Sequence, residues 1–187
     1  MSGIGNSSYD LPSAPSSAPC GEEQSRHPFR CRAASARMNK PLHIRPADKS
    51  DATALATLAG ELGYPATAAD MTVRIEELIA RSDHGVYVAD LDSVVGWIHV
   101  SFVQSLESDP FAEIRGLVIA SSNRRLGIGG KLVAMAERWA QQKGCRRIRV
   151  RTNVVRGEAK AFYQRRGYRS AKTQEVFDRF LRIPGSQ

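Results

Sequence analysis

The 187-residue chain is short of cysteine: three residues, Cys20, Cys31 and Cys145, an odd number with no C-x-x-C spacing. Neither a disulfide framework nor a thiolate zinc site is expected from that set, and no metal is called for. Long apolar runs are also missing. No stretch reaches the about 18 consecutive apolar residues of a membrane-spanning helix, and residues 1–37 lack the apolar block that follows the basic start of a signal peptide. A cytoplasmic protein with no membrane partner is the expectation. Internal repeats are absent too, so a solenoid or propeller is not indicated. His43, His84 and His99 are scattered with no Cys or acidic partner at catalytic spacing, and they and Cys145 read as structural, which argues against a cysteine nucleophile.

What is present is an ordinary globular composition, 42% hydrophobic and 25% charged, at the size of one domain. Residues 1–37, dense in Ser, Pro, Gly and Ala, cannot bury enough apolar surface to offset the ordering of their backbone, so a disordered arm or a non-native extension is expected there. Met38 directly precedes the first patterned segment, making 38–187 the folded domain. Net charge is +8, but unevenly placed: 18 Lys/Arg against 4 Asp/Glu from Arg115 onward, and 5 against 12 between Asn39 and Ile114. A basic half suits a phosphate-rich ligand and an acidic half a cationic one, since complementary fields raise local ligand concentration. A nucleic-acid binder would use the basic half alone; it predicts steeply salt-dependent affinity.

Leu42–Arg45 alternates like a strand. Asp48 or Ser50 can cap a helix carrying Ala54, Leu55, Leu58 and Leu62, and a second helix follows Thr67 with Met71, Ile75, Leu78 and Ile79 on one face. Gly85–Ala89 and Val94–Val103, joined by Asp90-Leu91-Asp92-Ser93, read as a β-hairpin. Glu113–Ala120 then reads as a buried strand, Ile128–Lys143 as a helix with Leu132, Met135, Ala136 and Trp139 inward, and Arg147–Thr152 as a further strand. Strand, helix, strand implies a right-handed parallel crossover. A helix over Gly157–Arg165 stops at Gly167, and Val176–Leu181 is expected to supply a closing strand. The fold class is therefore mixed α/β, a mostly antiparallel sheet with one parallel βαβ crossover.

The segment between strand and helix reads Arg124-Arg125-Leu126-Gly127-Ile128-Gly129-Gly130. Glycines there let backbone approach a ligand, the free N–H groups of the first helical turn face an anion, and two arginines add charge-assisted bonds, which together suit a pyrophosphate. A P-loop fails, because Arg125 holds its first glycine position and Leu132 follows Lys131. A dinucleotide fold fails as well, because the spacing is G-x-G-G and the next strand ends in Arg151, Thr152 and Asn153.

Arg124-x-x-Gly127-x-Gly129, the preceding Glu113–Ile119 and the later Ala159-Lys160-Ala161-Phe162-Tyr163-Gln164-Arg165-Arg166-Gly167-Tyr168 together resemble the GNAT superfamily of N-acetyltransferases. The resemblance spans residues 42–182. It implies acetyl-CoA as co-substrate, held by the backbone of Leu117, Val118 and Ile119 along the pantetheine arm, by Arg124, Arg125, Gly127, Ile128, Gly129 and Gly130 at the pyrophosphate, and by Asn153 beyond the second cleft strand. It also implies direct transfer in a ternary complex to a primary amine, with a main-chain N–H near Leu117 or Val118 polarising the thioester carbonyl.

Such transfer wants one acid and one base. Tyr163 matches the family's tyrosine near the sulfur and is the candidate proton donor, against the plain alternative of a helix tyrosine packed on the sheet. Glu113 matches a position where some members place a carboxylate; a solvated strand-end charge is an equal alternative. Tyr87 and Trp97 read as packing residues in preference to acceptor contacts. Glu61, Asp70, Glu107 and Asp109 favour a small cationic acceptor, with a protein amine left open. A non-catalytic acyl-CoA-binding module is the alternative from another class, and exposed strand edges make a two-fold homodimer an expected assembly.

Overall fold

In a computed structural model of the chain, residues 41–153 and 157–181 are described. The expected arm, residues 1–37, lies outside them. Five strands and four helices run in the order β1 (His43–Pro46), α1 (Ala52–Leu62), α2 (Ala68–Ile79), β2 (His84–Asp90), β3 (Val94–Ser105), β4 (Ser108–Ile119), α3 (Ile128–Gln142), β5 (Ile148–Val150) and α4 (Gly157–Arg165). The sheet keeps chain order, β1-β2-β3-β4-β5. Its first three pairings are antiparallel and the last, β4 with β5, is parallel, the mixed sheet that the alternation of patterns predicts.

Local chemistry explains the helix ends. Asp48 caps the short 3-10 turn Lys49–Asp51 that leads into α1, and Asp51 returns the bond in a capping box. Gly63, at φ 95°, closes α1 in the left-handed conformation that glycine adopts without strain. Thr67 and Asp70 form a second reciprocal box at α2, so the carboxylate expected to attract a cation is spent on its own helix.

Two cores lie on opposite sheet faces. Ile98, Val100, Ala112 and Ile114 meet Leu132, Val133, Ala136, Trp139 and Ala140 of α3, together with Tyr163 of α4. Val86 and Val88 on the other face meet Leu55 of α1 and Ile75 of α2, with Trp97 packed alongside. Burying a side chain such as Leu132, which is fully enclosed, stabilises by about 1.5–3 kcal/mol before entropy is counted. Polar groups tie β1 to its neighbours. There Arg45 spans Asp51, at 2.8 Å to each carboxylate oxygen, and Asp90, at 3.0 Å.

Three expectations are corrected. β4 begins at Ser108, ahead of the expected start at Glu113, and Ser105 pairs with Ser108, so β3 and β4 join in a tight hairpin. Its turn, Leu106-Glu107, has none of the Gly or Asn that announces such turns. β5 covers only Ile148–Val150 of the expected Arg147–Thr152, and its ladder with β4 ends at Val150. Val176–Leu181 forms no strand. Its apolar residues come in pairs, not in alternation, and a strand without a ladder leaves its backbone groups unpaired.

Candidate active site

The ladder between β4 and β5 is short: Ala112 faces Ile148, Glu113 faces Arg149, Ile114 faces Val150, and there it ends. β4 continues to Ile119, still paired with β3 through Leu117 to Ile98, Val118 to Trp97 and Ile119 to Gly96. From Arg115 to Ile119 one side of β4 therefore has no partner strand, and that split is a cleft with an open backbone edge. Register also slips here. Gly116 faces His99 and Ile114 faces Val100, leaving Arg115 as the extra residue of a β-bulge, a device that turns side chains and ends pairing beside functional sites.

Leu117, Val118 and Ile119 thus lie on the free stretch, and the chain runs from them directly into the glycine turn. Gly127 adopts φ 78° and begins α3, with no side-chain cap on that terminus. The first turn of α3 leaves its N–H groups pointing out of the helix end, an anion site by geometry and dipole. Arg125 takes φ 64°, uncommon for a residue with a Cβ. Its side chain is 89% exposed and lies 3.5 Å from Glu158. Arg124 folds back, its Nε donating to the Ile119 carbonyl at 3.2 Å. Asn153 sits exposed just past β5.

The structure adds residues that sequence reasoning assigned elsewhere or passed over. Glu61, expected in the acceptor pocket, instead accepts from the Ser121 backbone N–H at 3.0 Å and lies 3.8 Å from Arg124, tying α1 to the turn. Arg166 donates to the Gly130 carbonyl at 2.6 Å. A Cβ on Gly130 would lie 2.5 Å from that guanidinium, and one on Gly129 would lie 3.5 Å from the Phe162 ring. Gly130 therefore also lets the Arg166 guanidinium beyond α4 approach the start of α3 closely. Glycines in such a turn signal close approach, but nothing in the sequence says which element approaches.

Tyr163 is brought to this junction. It is buried, stacks edge-on with Phe162 and Tyr168, and shares its cluster with Leu117, Ile119 and Val150. Burial pushes its phenol up to about 12. The proton stays on oxygen at any ordinary pH, the state a donor requires. Tyr168, anchored to Glu137 at 2.9 Å, is held above the usual phenol range by burial first and that carboxylate second.

Glu113 is 3% exposed and not the solvated strand-end charge of the plain alternative. Arg151 Nε reaches it at 3.0 Å and Arg115 Nη1 at 3.7 Å, while Arg115 Nε donates to the buried Ser101 hydroxyl at 2.8 Å. Arg147 and Arg149 lie over the Phe111 ring at 4.6 and 4.2 Å. Arg147, Arg149 and Arg151 therefore cover Phe111 and Glu113. Glu107 and Asp109 line a hollow with Arg146 and Arg147 at the hairpin end of β4, remote along the strand from the split. Tyr87 packs into the α3 core as expected. Trp97 lies under Gly116, where a Cβ would meet its ring at 2.7 Å, and its buried Nε1 has no partner. Cys145 follows α3, at the end opposite the turn, with its thiol pushed up by burial. Among the described residues no group of three or more His, Cys, Asp or Glu is placed to hold a metal, and no helix is long and apolar enough to cross a membrane.

The family model for "Acetyltransferase (GNAT) family" matches residues 53–168, a span that holds the split strand pair and the glycine-lined helix start. The chain belongs to the GNAT acetyltransferase family. Among curated relatives, aminoglycoside N(6')-acetyltransferase type 1 of Serratia marcescens is 29% identical over 113 residues, covering 57% of this chain and 76% of that protein. The enzyme of the same description from Salmonella typhimurium is 28% identical over 98 residues, 49% of this chain and 68% of its own. Solved structures show the same fold. AAC(6')-Iy in complex with the bisubstrate analog CoA-S-monomethyl-acetylneamine superposes with a TM-score of 0.67 at 20% identity, covering 75% of this chain and 99% of that one. Glucosamine-6-phosphate N-acetyltransferase from Arabidopsis thaliana gives 0.61 at 22% identity over 74% and 100%. As a GNAT member the chain is an acetyltransferase, and its site residues can be weighed in that light.

Proposed function

We propose that the protein transfers an acetyl group from acetyl-CoA to a primary amine of a small molecule, directly, within a ternary complex. The observation that carries this reading is the split of β4 from β5 after Ile114, which opens a strand edge leading straight into the uncapped N-terminus of α3. The pyrophosphate would rest on the turn from Arg124 to Gly130, with Arg124 and Arg125 beside it, and the pantetheine arm along Leu117, Val118 and Ile119. Asn153 would meet the arm from the β5 side.

In such a complex the amine lone pair attacks the thioester carbon, an N–H of the free strand edge stabilises the oxyanion, and the C–S bond then breaks. Tyr163, whose phenol keeps its proton until the thiolate departs, supplies the proton that the thiolate takes up. The only described cysteine, Cys145, lies away from the turn, which favours direct transfer over an acyl-cysteine intermediate. Glu113 would act on the amine by electrostatics, its charge already engaged by Arg151 and Arg115.

The relatives' description as aminoglycoside acetyltransferases supports a small, polyamine-bearing acceptor, and such a molecule is cationic. The carboxylates first expected to draw it lend less support, because Asp70 caps α2 and Glu61 ties down the turn. Calorimetric titration with acetyl-CoA, followed by thiol release on mixing with neamine and a panel of simple primary amines, tests the reading. Micromolar cofactor binding, with thiol release much faster in the presence of an amine than the slow hydrolysis by water, is the expected result; absence of acetyl-CoA binding would overturn it.

A further inference from the structure

His84 of β2 and His99 of β3 form a direct imidazole pair, with Nδ1 of His84 and Nε2 of His99 2.8 Å apart and ring centroids at 5.1 Å. Sequence spacing concealed it, since the two residues meet only through the β2–β3 register, where Val86 faces His99 and His84 faces Ser101. The pair occupies the face of the sheet that also carries Ser101, Glu113 and Gly116. Two positions along β3, Trp97 packs into the α1/α2 core, so the helices cover that neighbouring part of the face. His99 lies directly across from Gly116, on the stretch of β4 that has lost its β5 partner. Cross-strand neighbours stand about 5 Å apart. His99 is thus one strand removed from the cleft, on the face where Glu113, the other base candidate, is already engaged by two guanidinium groups.

Burial and the neighbouring guanidinium groups favour a neutral, hydrogen-bonded pair, with Asp83 alone acting the other way. Burial first, then His84 and the Arg115 guanidinium, hold His99 down to about 4. His84 is also lowered, by burial first and by Arg81 and Arg115, with Asp83 opposing. On its outer side His84 Nε2 lies 3.9 Å from the Asp83 carboxylate, which is 42% exposed and opens to solvent. His99, His84 and Asp83 thus follow one another from the sheet face that carries Glu113 and Gly116 toward solvent, the last step spanning 3.9 Å.

Resting on the transferase reading above, we propose that His99 is the proton acceptor for the acceptor amine and that His84 relays the proton outward past Asp83. As the amine nitrogen bonds to the thioester carbon, its excess proton passes to Nδ1 of His99. The proton that His99 Nε2 donates in the pair moves to Nδ1 of His84, and His84 releases the one on Nε2 to water at Asp83. The C–S bond then breaks and the thiolate takes its proton from Tyr163, whose phenolate regains one from water; the proton released at Asp83 balances it, so the amine loses one proton and the thiol gains one. His99 is catalytic in this scheme and His84 is a positioning and relay residue.

The test uses the full chain, acetyl-CoA, and two acceptors in parallel: neamine, and water through slow thioester hydrolysis, which needs the same base. His99→Asn is expected to lower kcat for both by about 10²–10⁴-fold with acetyl-CoA affinity unchanged, and added imidazole should restore part of the rate. His84→Asn should lose less and shift the pH profile, and its exposed edge makes it the safer variant if His99→Asn fails to fold. In the wild type the base should remain competent until pH falls to about 4, where His99 charges. Wild-type rates and pH profile in both variants would sink the proposal. So would a loss of rate with neither imidazole rescue nor a changed profile, which marks a structural role. Wild-type hydrolysis without neamine transfer would fault only the acceptor reading, because the variants can still be compared on water; loss of acetyl-CoA binding in the wild type would overturn both.

Discussion

Gly127, Tyr163 and Gly96 each do one thing that another residue cannot. At Gly127 a Cβ would meet nothing within 4 Å, yet φ is +78°, so the cost of Gly127→Ala is conformational, about 1–2 kcal/mol. Gly127→Glu adds a carboxylate where the pyrophosphate is to sit, and calorimetry should show acetyl-CoA affinity falling well over tenfold. Tyr163→Phe keeps the edge-on contacts with Phe162 and Tyr168 and removes only the hydroxyl. Steady-state kinetics should give kcat lower by about 10²-fold or more with the acetyl-CoA Kd unchanged, and an unaltered kcat would remove the acid role. Because its phenol is pushed up to about 12, the wild type should show no basic limb from Tyr163 below that pH. Gly96 faces Ile119 across the ladder, and a Cβ there would come within 2.8 Å of the Val118 carbonyl oxygen. Backbone cannot swing aside, so Gly96→Ala should cost about 1–3 kcal/mol in chemical denaturation and weaken cofactor binding through the displaced strand.

At the scale of elements, the cleft is made by one strand outrunning another. β4 pairs with β3 as far as Ile119 but with β5 only to Ile114, and the bulge at Arg115 lets it turn without breaking the antiparallel ladder. α4 then closes on α3 through Arg166 and Phe162 against Gly130 and Gly129, which couples the helix bearing Tyr163 to the glycine turn proposed to hold the pyrophosphate. Elsewhere β1, β2 and the start of α1 are tied by Arg45 to Asp51 and Asp90. Asp51 is 5% exposed and accepts two bonds from Arg45 and one from the Asp48 backbone. Asp51→Ala should lower stability by about 1–3 kcal/mol, since it leaves several donors unmatched. Thermal unfolding measures that loss, and cofactor affinity should stay close to wild type because the network lies away from the split.

The whole molecule exposes more apolar surface at its C-terminal segment than a lone domain usually tolerates: Val176, Phe177, Phe180 and Leu181 are each 78% exposed or more, beside a β5 only three residues long at the sheet's edge. Such a segment favours association. Sedimentation velocity should show a dimer whose dissociation constant rises on replacing Phe177 and Phe180 together by Ser; a monomer at all concentrations would refute the expected assembly. Much of this protein was legible from residues in a row. Capping at Thr67, the αL stop at Gly167, the inward stripe of α3 and the glycine turn before it are local, set by hydrogen bonds and sterics within a few residues, and so is the order of strands and helices that defines the mixed sheet. Contacts between distant segments were not legible. That Glu61 serves the turn, that Arg166 fits over Gly130, that His84 meets His99 and that Glu113 is buried between Arg115 and Arg151 follow from register and packing, which bring together residues tens of positions apart. Periodicity can say which face of an element is apolar; only the folded sheet decides which polar groups share that face, because their pairing is fixed by partners that the sequence does not place beside them.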